Sequence, residues 1–210
     1  MLALAARAPQ EMDLVLSPVV LRLPPATQLS DAAFFELCQA NPQFRLERDS
    51  DYNLIIMPPA YPDASEDGSE VNYQLKHWNK TQAPVAGHAY ESSAGFVLPN
   101  GAVRSPDIAW LSRAARTMAQ QAGGFLAICP EFVVEIRSPS DRLATLQAKM
   151  EEYLANGAQL GFLLDVEAET AYIYRPGQAV ELVQGYGQEL SGEPVLPGFR
   201  LDLRPLRRAA

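Results

Sequence analysis

Two apolar runs, Phe132–Ile136 and Leu160–Val166, enclose one amphipathic segment over residues 141–156. Leu143, Leu146, Met150, Tyr153 and Leu154 form a single stripe at helical spacing, and Asn156-Gly157 supplies the stop. The second run is almost wholly apolar, as in a strand buried on both faces. Strand, helix and strand in that order favour two parallel strands joined by a crossover helix. This unit points to an α/β fold on a central mixed sheet.

The rest of the chain adds to that sheet. TAYIYRP (170–176) alternates and pairs with the run before it. Upstream, Ser30 caps a helix over 31–40 that Asn41-Pro42 ends, and FRLERD (44–49) with NLIIMP (53–58) reads as a hairpin. YPDASEDGSE (61–70) reads as a loop. The helix that follows begins near Asp67 or Ser69 and carries Val71, Leu75 and Trp78 inward. Residues 88–98 and 104–112 read as two strands about the Asn100-Gly101 turn, and 113–122 as helical or irregular up to Gly123-Gly124. Short strands are expected near 179–183 and 199–203, and Asp141 is expected to cap the helix over 142–156. The division expected is an extended arm over 1–28 with a short strand at Val19–Leu23, one domain over 29–205, and a free basic tail over 206–210. Arg207 and Arg208 belong to that tail, just after Arg204.

Glu135 stands inside an apolar strand, where an unpaired charge is costly. Asp107, after Pro106, stands directly before Ile108, Ala109, Trp110 and Leu111. One acid on each of two strands suggests a common partner. Magnesium takes hard oxygen ligands from one or two carboxylates and activates water at a phosphate, and neighbouring strands lie about 5 Å apart. A cation two residues further along a strand projects on the same face. Here that residue is Arg137, where Lys is usual in a Pro-Asp, Glu-x-Lys arrangement. Arginine forks onto phosphate well but shuttles protons poorly. Lys149, flanking the stripe of the 141–156 helix, is the alternative cation. Each residue also has a plainer role open to it. Asp107 can turn the chain, Glu135 can pair with Arg137 or Arg104, Lys149 can cover the stripe with its stem, and Glu70 can favour a helix N-terminus.

SPDIAW (105–110), CPEFVVEIRSPSDRLATLQAKMEEYLANGAQLGFLLD (129–165), AYIYRPGQAVE (171–181) and LSGEPVLPGFRLDL (190–203) together resemble the Uma-two family of endonuclease-like proteins, assigned to the PD-(D/E)XK restriction-endonuclease-like fold. The resemblance covers roughly residues 28–205. It implies an αβββαβ core, a Mg²⁺ or Mn²⁺ site at Asp107 and Glu135, and Lys149 as a displaced active-site lysine. It also implies an added Glu from the first core helix, with Glu70 as candidate and Glu47 as the alternative. The function expected is metal-dependent hydrolysis of DNA phosphodiester bonds by a homodimer. A catalytically inactive nuclease-fold protein that binds nucleic acid or protein is the alternative.

Composition narrows the rest. The net charge of −8 weighs against strong non-specific DNA binding, so a DNA contact needs a local basic patch or a partner. Two histidines leave no basis for a His-rich zinc site, and no glycine-rich phosphate loop appears. Cys38 and Cys129 form no cluster and are expected to be buried free thiols. No apolar run reaches the roughly 18 residues of a membrane span, and MLALAARAPQEMDLVL lacks the order of a secretory leader. The expected location is the cytoplasm.

Overall fold

The structure is a computed structural model and describes residues 17–82 and 87–208. Along the chain lie β1 (Val19–Leu21), α1 (Asp31–Ala40), β2 (Arg45–Arg48), β3 (Leu54–Met57), α2 (Pro62–Thr81), β4 (His88–Glu91), β5 (Phe96–Val97), β6 (Val103–Arg104) and β7 (Ile108–Leu111). They are followed by α3 (Arg113–Met118), β8 (Gln120–Ala122), β9 (Phe125–Ala127), β10 (Phe132–Ile136), α4 (Leu143–Ala155) and β11 (Leu160–Asp165). The last strands are β12 (Thr170–Tyr174), β13 (Glu181–Gln184), β14 (Glu189–Ser191) and β15 (Arg200–Asp202).

One sheet has six strands in the order β13-β12-β11-β10-β7-β4. Its β10 and β11 are parallel, with Glu135 opposite Leu163, and α4 makes the crossover between them. β4, β7 and β10 run antiparallel to one another in turn. In sequence, α2, β4, β7, β10, α4 and β11 therefore give the expected αβββαβ order. Alternation along β10 sorts its side chains. Phe132, Val134 and Ile136 enter the core under α2 with Val71, Leu75, Leu201 and Leu203. Val133 enters the core under α4 with Leu146, Met150 and Tyr153, and Glu135 shares that face. Gly161 permits the close packing of α4 on β11, since a Cβ there would lie 2.4 Å from Met150 Cε.

A second sheet has seven strands, β1-β3-β2-β6-β5-β9-β8. The expected short strand in the arm is present as β1, antiparallel to β3. α1 packs on this sheet through Phe34, against Leu54, Val103 and Phe125. Ser30 caps α1 by accepting the Ala33 N–H at 3.2 Å. Both cysteines are unpaired, Cys129 buried and Cys38 partly so. Among the described residues no helix is long and apolar enough to cross a membrane.

The structure corrects several expectations. Residues 88–98 and 104–112 are not two continuous strands. Each arm bends and passes from one sheet to the other, as β4 to β5 and as β6 to β7. Pro106 has no N–H to give a ladder, and Glu91 accepts the Ser93 N–H at 3.1 Å to turn the first arm. Residues 61–70 are not a loop, because α2 starts at Pro62 with Asp63 in its first turn. Proline at the first helical position and an early acid both favour that start. Asp141 does not cap α4, whose N-cap is Arg142 with no side-chain cap. Its carboxylate instead accepts from Ser138 N and Oγ at 2.9 and 2.6 Å. Arg208 is not free, since it forks onto the buried Asp67 of α2 at 2.6 and 2.9 Å. Residues 1–16 of the expected arm and 209–210 of the tail lie outside the described residues.

Candidate active site

The crossing between the sheets creates the site. The chain leaves β6 at Arg104, turns through Ser105-Pro106-Asp107 and enters β7 of the other sheet. Asp107 Oδ2 accepts the Ile136 N–H at 2.9 Å, which fixes the acid against the end of β10. Glu47, on β2, accepts the Ser105 N–H at 3.0 Å and so spans the bend from the first sheet. Glu47, Asp107 and Glu135 thus line one cleft of about 600 Å³, together with Arg45, Arg104 and Lys149.

Lys149 lies between two of the acids. Its Nζ is 2.9 Å from Glu135 Oε1 and 3.0 Å from Glu47 Oε1. Tyr153, one turn further along α4, donates its hydroxyl to Glu135 Oε1 at 2.9 Å. Arg104 bonds Glu47 Oε2 at 3.1 Å and Glu152 Oε2 at 2.6 Å. Burial works against each of these charges, and the neighbours decide the result. Burial favours a neutral Lys149, but Glu135 and Glu47 outweigh it and hold the ammonium above its usual pKa. Burial raises Glu47, yet Lys149 and Arg104 outweigh it and lower the acid to about 2. Glu135 is pushed up to about 7 by burial, opposed by Lys149 and reinforced by Asp107 and Glu47. Burial, with Glu135 next, keeps the Tyr153 hydroxyl protonated and therefore a donor.

The donor set suits a hard divalent cation. Among the described residues no three His, Cys, Asp or Glu side chains are gathered into a cation cage. Glu135 nevertheless keeps one oxygen free of hydrogen bonds, and one oxygen of Asp107 is only weakly held. The Lys149 and Tyr153 bonds both fall on Glu135 Oε1, leaving Oε2 without a hydrogen bond among the described residues. Asp107 Oδ1 has a long contact of 3.5 Å to Arg45. Magnesium binds through one or two carboxylates and keeps several waters. Burial is the main cause of the Glu135 rise, and the part that Asp107 and Glu47 add marks negative charge that such an ion would offset.

Of the residues singled out in the sequence, Asp107, Glu135, Lys149 and Glu47 come together. Arg137 does not join them. β10 ends at Ile136, and the Arg137 guanidinium turns to Asp165 Oδ2 at 2.6 Å and to the Asp141 carbonyl at 3.4 Å. Glu70 also lies elsewhere. It accepts from Gln74 at 2.8 Å and lines a separate polar recess with Arg207 and Arg208. Tyr153, Arg45 and Asn72 were missed as site residues. Tyr153 stands four positions after Lys149 and Arg45 two before Glu47, spacings that share a face in a helix and a strand.

An αβββαβ core with an acid before its second strand and another in its third defines a restriction-endonuclease-like class of fold. A solved structure agrees: "a putative nuclease belonging to DUF820" from Anabaena variabilis superposes with a TM-score of 0.71, at 20% identity, over 85% of this chain and 97% of that one. At that identity the likeness speaks for the fold. The chain belongs to the Uma2 family, whose sequence model, described as "Putative restriction endonuclease", matches residues 31–204. No curated protein matches the chain.

Proposed function

We propose that this chain is a metal-dependent endonuclease that hydrolyses DNA phosphodiester bonds. The observation that carries the reading is the meeting of the Asp107 and Glu135 carboxylates with a partly buried, cationic Lys149 in one cleft. Mg²⁺ or Mn²⁺, held by Asp107 and Glu135, would neutralise phosphoryl oxygens and make a water more acidic. Lys149 offers positive charge to the charge that develops at the phosphate. Its raised pKa suits it to that role rather than to taking a proton. Tyr153 holds the Glu135 carboxylate through Oε1 and leaves Oε2 to the ion, and Glu47 fixes Lys149 from the other sheet. Arg45, its side chain 36% exposed beside Asp107, supplies the local phosphate contact that a chain of net charge −8 needs.

The reading includes a homodimer, which would present two clefts to the two strands of a duplex. Strand β1, at the edge of its sheet among the described residues, supports it, with Val19, Val20 and Leu21 about half exposed. Sedimentation measures the association directly.

Plasmid nicking with Mg²⁺ and with Mn²⁺ tests the reaction, with wild type beside Asp107→Asn. Cleavage is expected from wild type alone. Asparagine keeps an acceptor for the Ile136 N–H, so the variant should fold. Equal cleavage by both proteins would sink the site assignment. No cleavage and no Mn²⁺ binding by wild type would favour the binding-module alternative.

A further inference from the structure

Helix α2 brings an unpartnered polar atom to the cleft. Asn72 Oδ1 is buried and has no hydrogen-bond partner among the described residues, and Asn72 lines the same cleft as Asp107 and Glu135. Leaving a buried amide oxygen unpaired is unfavourable, so its presence calls for a missing donor or cation. Arg48 Nε is the other such atom among the described residues, but it belongs to a guanidinium already bonded through both other nitrogens to Leu29, Asp31 and Gly101. Nothing comparable satisfies Asn72.

The position of Asn72 says what kind of partner fits. Gly68, one turn earlier on the same stripe, passes over the end of β10, where an added Cβ would be 3.9 Å from Ile136 Cδ1. Its neighbours Val71 and Leu75 are in the core. Glu135 faces α4 and α2 covers the opposite side of β10, yet Asn72 and Glu135 line the same cleft at the end of that strand. Its Oδ1 only accepts. An unprotonated phosphate oxygen has no hydrogen to give it. Water around a hard cation does, and partners in the outer shell orient such waters.

We propose that Asn72 is a positioning residue whose Oδ1 accepts a hydrogen bond from a water held by the ion at Asp107 and Glu135. The assignment rests on the metal-dependent reading above. Its test compares wild type, Asn72→Ala, the volume-keeping Asn72→Leu and Asn72→Asp. Two quantities are measured: the thermal midpoint of the metal-free protein and Mn²⁺ affinity by calorimetry. Asn72→Ala and Asn72→Leu should leave the metal-free midpoint unchanged or raise it, because the lost oxygen had no partner. Both should weaken Mn²⁺ binding about tenfold or more. Asn72→Asp, which restores an acceptor oxygen, should bind Mn²⁺ at least as tightly as wild type. Mn²⁺ affinity unchanged in Asn72→Ala and Asn72→Leu would overturn this assignment alone, as would a fallen metal-free midpoint with intact affinity. Failure of wild type to bind Mn²⁺ would overturn the metal reading and this assignment with it.

Discussion

Lys149 Nζ, on α4, lies 2.9 Å from Glu135 Oε1, on β10. The same ammonium reaches Glu47 of the other sheet at 3.0 Å. One partly buried cation therefore ties two buried acids across the sheet junction. Lys149→Met removes it and leaves both acids without that charge, at a cost of about 3–5 kcal/mol. Under the proposed function, loss of this charge should also lower cleavage about 100-fold or more. Adding Glu47→Gln relieves the repulsion, so the double variant should regain stability in urea denaturation but not cleavage. Recovery of both would assign Lys149 to the fold alone.

Arg137 gives the contrasting case. Its guanidinium is held by Asp165, which is buried, and not by the cleft acids. Arg137→Ala leaves that carboxylate without its cation and should destabilise the protein by about 1–3 kcal/mol. Cleavage per folded molecule should be unchanged. A loss of rate comparable to that of Lys149→Met, measured on protein shown to be folded, would return Arg137 to the site.

The acids also set how the metal-free protein responds to pH. Glu135 is raised to about 7 in the folded state, against an ordinary glutamate near about 4.3. The folded state thus binds this proton more tightly. The stabilisation is complete below the unfolded value and is lost as pH rises through about 7. Glu47, lowered to about 2, acts in the opposite sense, and its contribution is lost as pH falls towards that value. Between pH 5 and 8 Glu135 governs. The thermal midpoint of the metal-free wild type should drop across that window, and Glu135→Gln should flatten the drop and raise the midpoint at pH 8. An equally steep drop in Glu135→Gln would place the titrating group elsewhere.

What the sequence revealed depended on how local each cause is. The crossover was legible because apolar periodicity changes from strand to helix and back within 132–166. Glu135 was legible because a charge in an apolar strand needs a reason, and Lys149 because it borders the helical stripe. Tyr153 stayed hidden, since a tyrosine on that stripe fits the core pattern whether or not its hydroxyl serves an acid. Glu70 and Asn72 show the cost of a small error on a helix. Two positions turn through about 200°, so one faces the C-terminal segment and the other the cleft. The passage of 88–98 and 104–112 between sheets depends on strands far away in sequence, which no local pattern records.

The clasp between Arg208 and Asp67 belongs to that long-range class and reaches the cleft through α2. Asp67 is buried, 3% exposed, directly before Gly68 and on the helix that carries Asn72. Arg208→Ala leaves the carboxylate unpaired, which costs about 1–3 kcal/mol, at the lower end because solvent reaches the Arg208 side. The loss should be local at first. Hydrogen exchange should speed up over residues 62–70, while β10 and β11 keep their protection, since segments with few remaining anchors open before the core. Adding Asp67→Asn removes the uncompensated charge and should restore most of that protection. Uniform acceleration across β10 and β11 would mean that the tail supports the whole sheet. Unchanged exchange over 62–70 would mean that α2 holds its place beside the cleft without the tail.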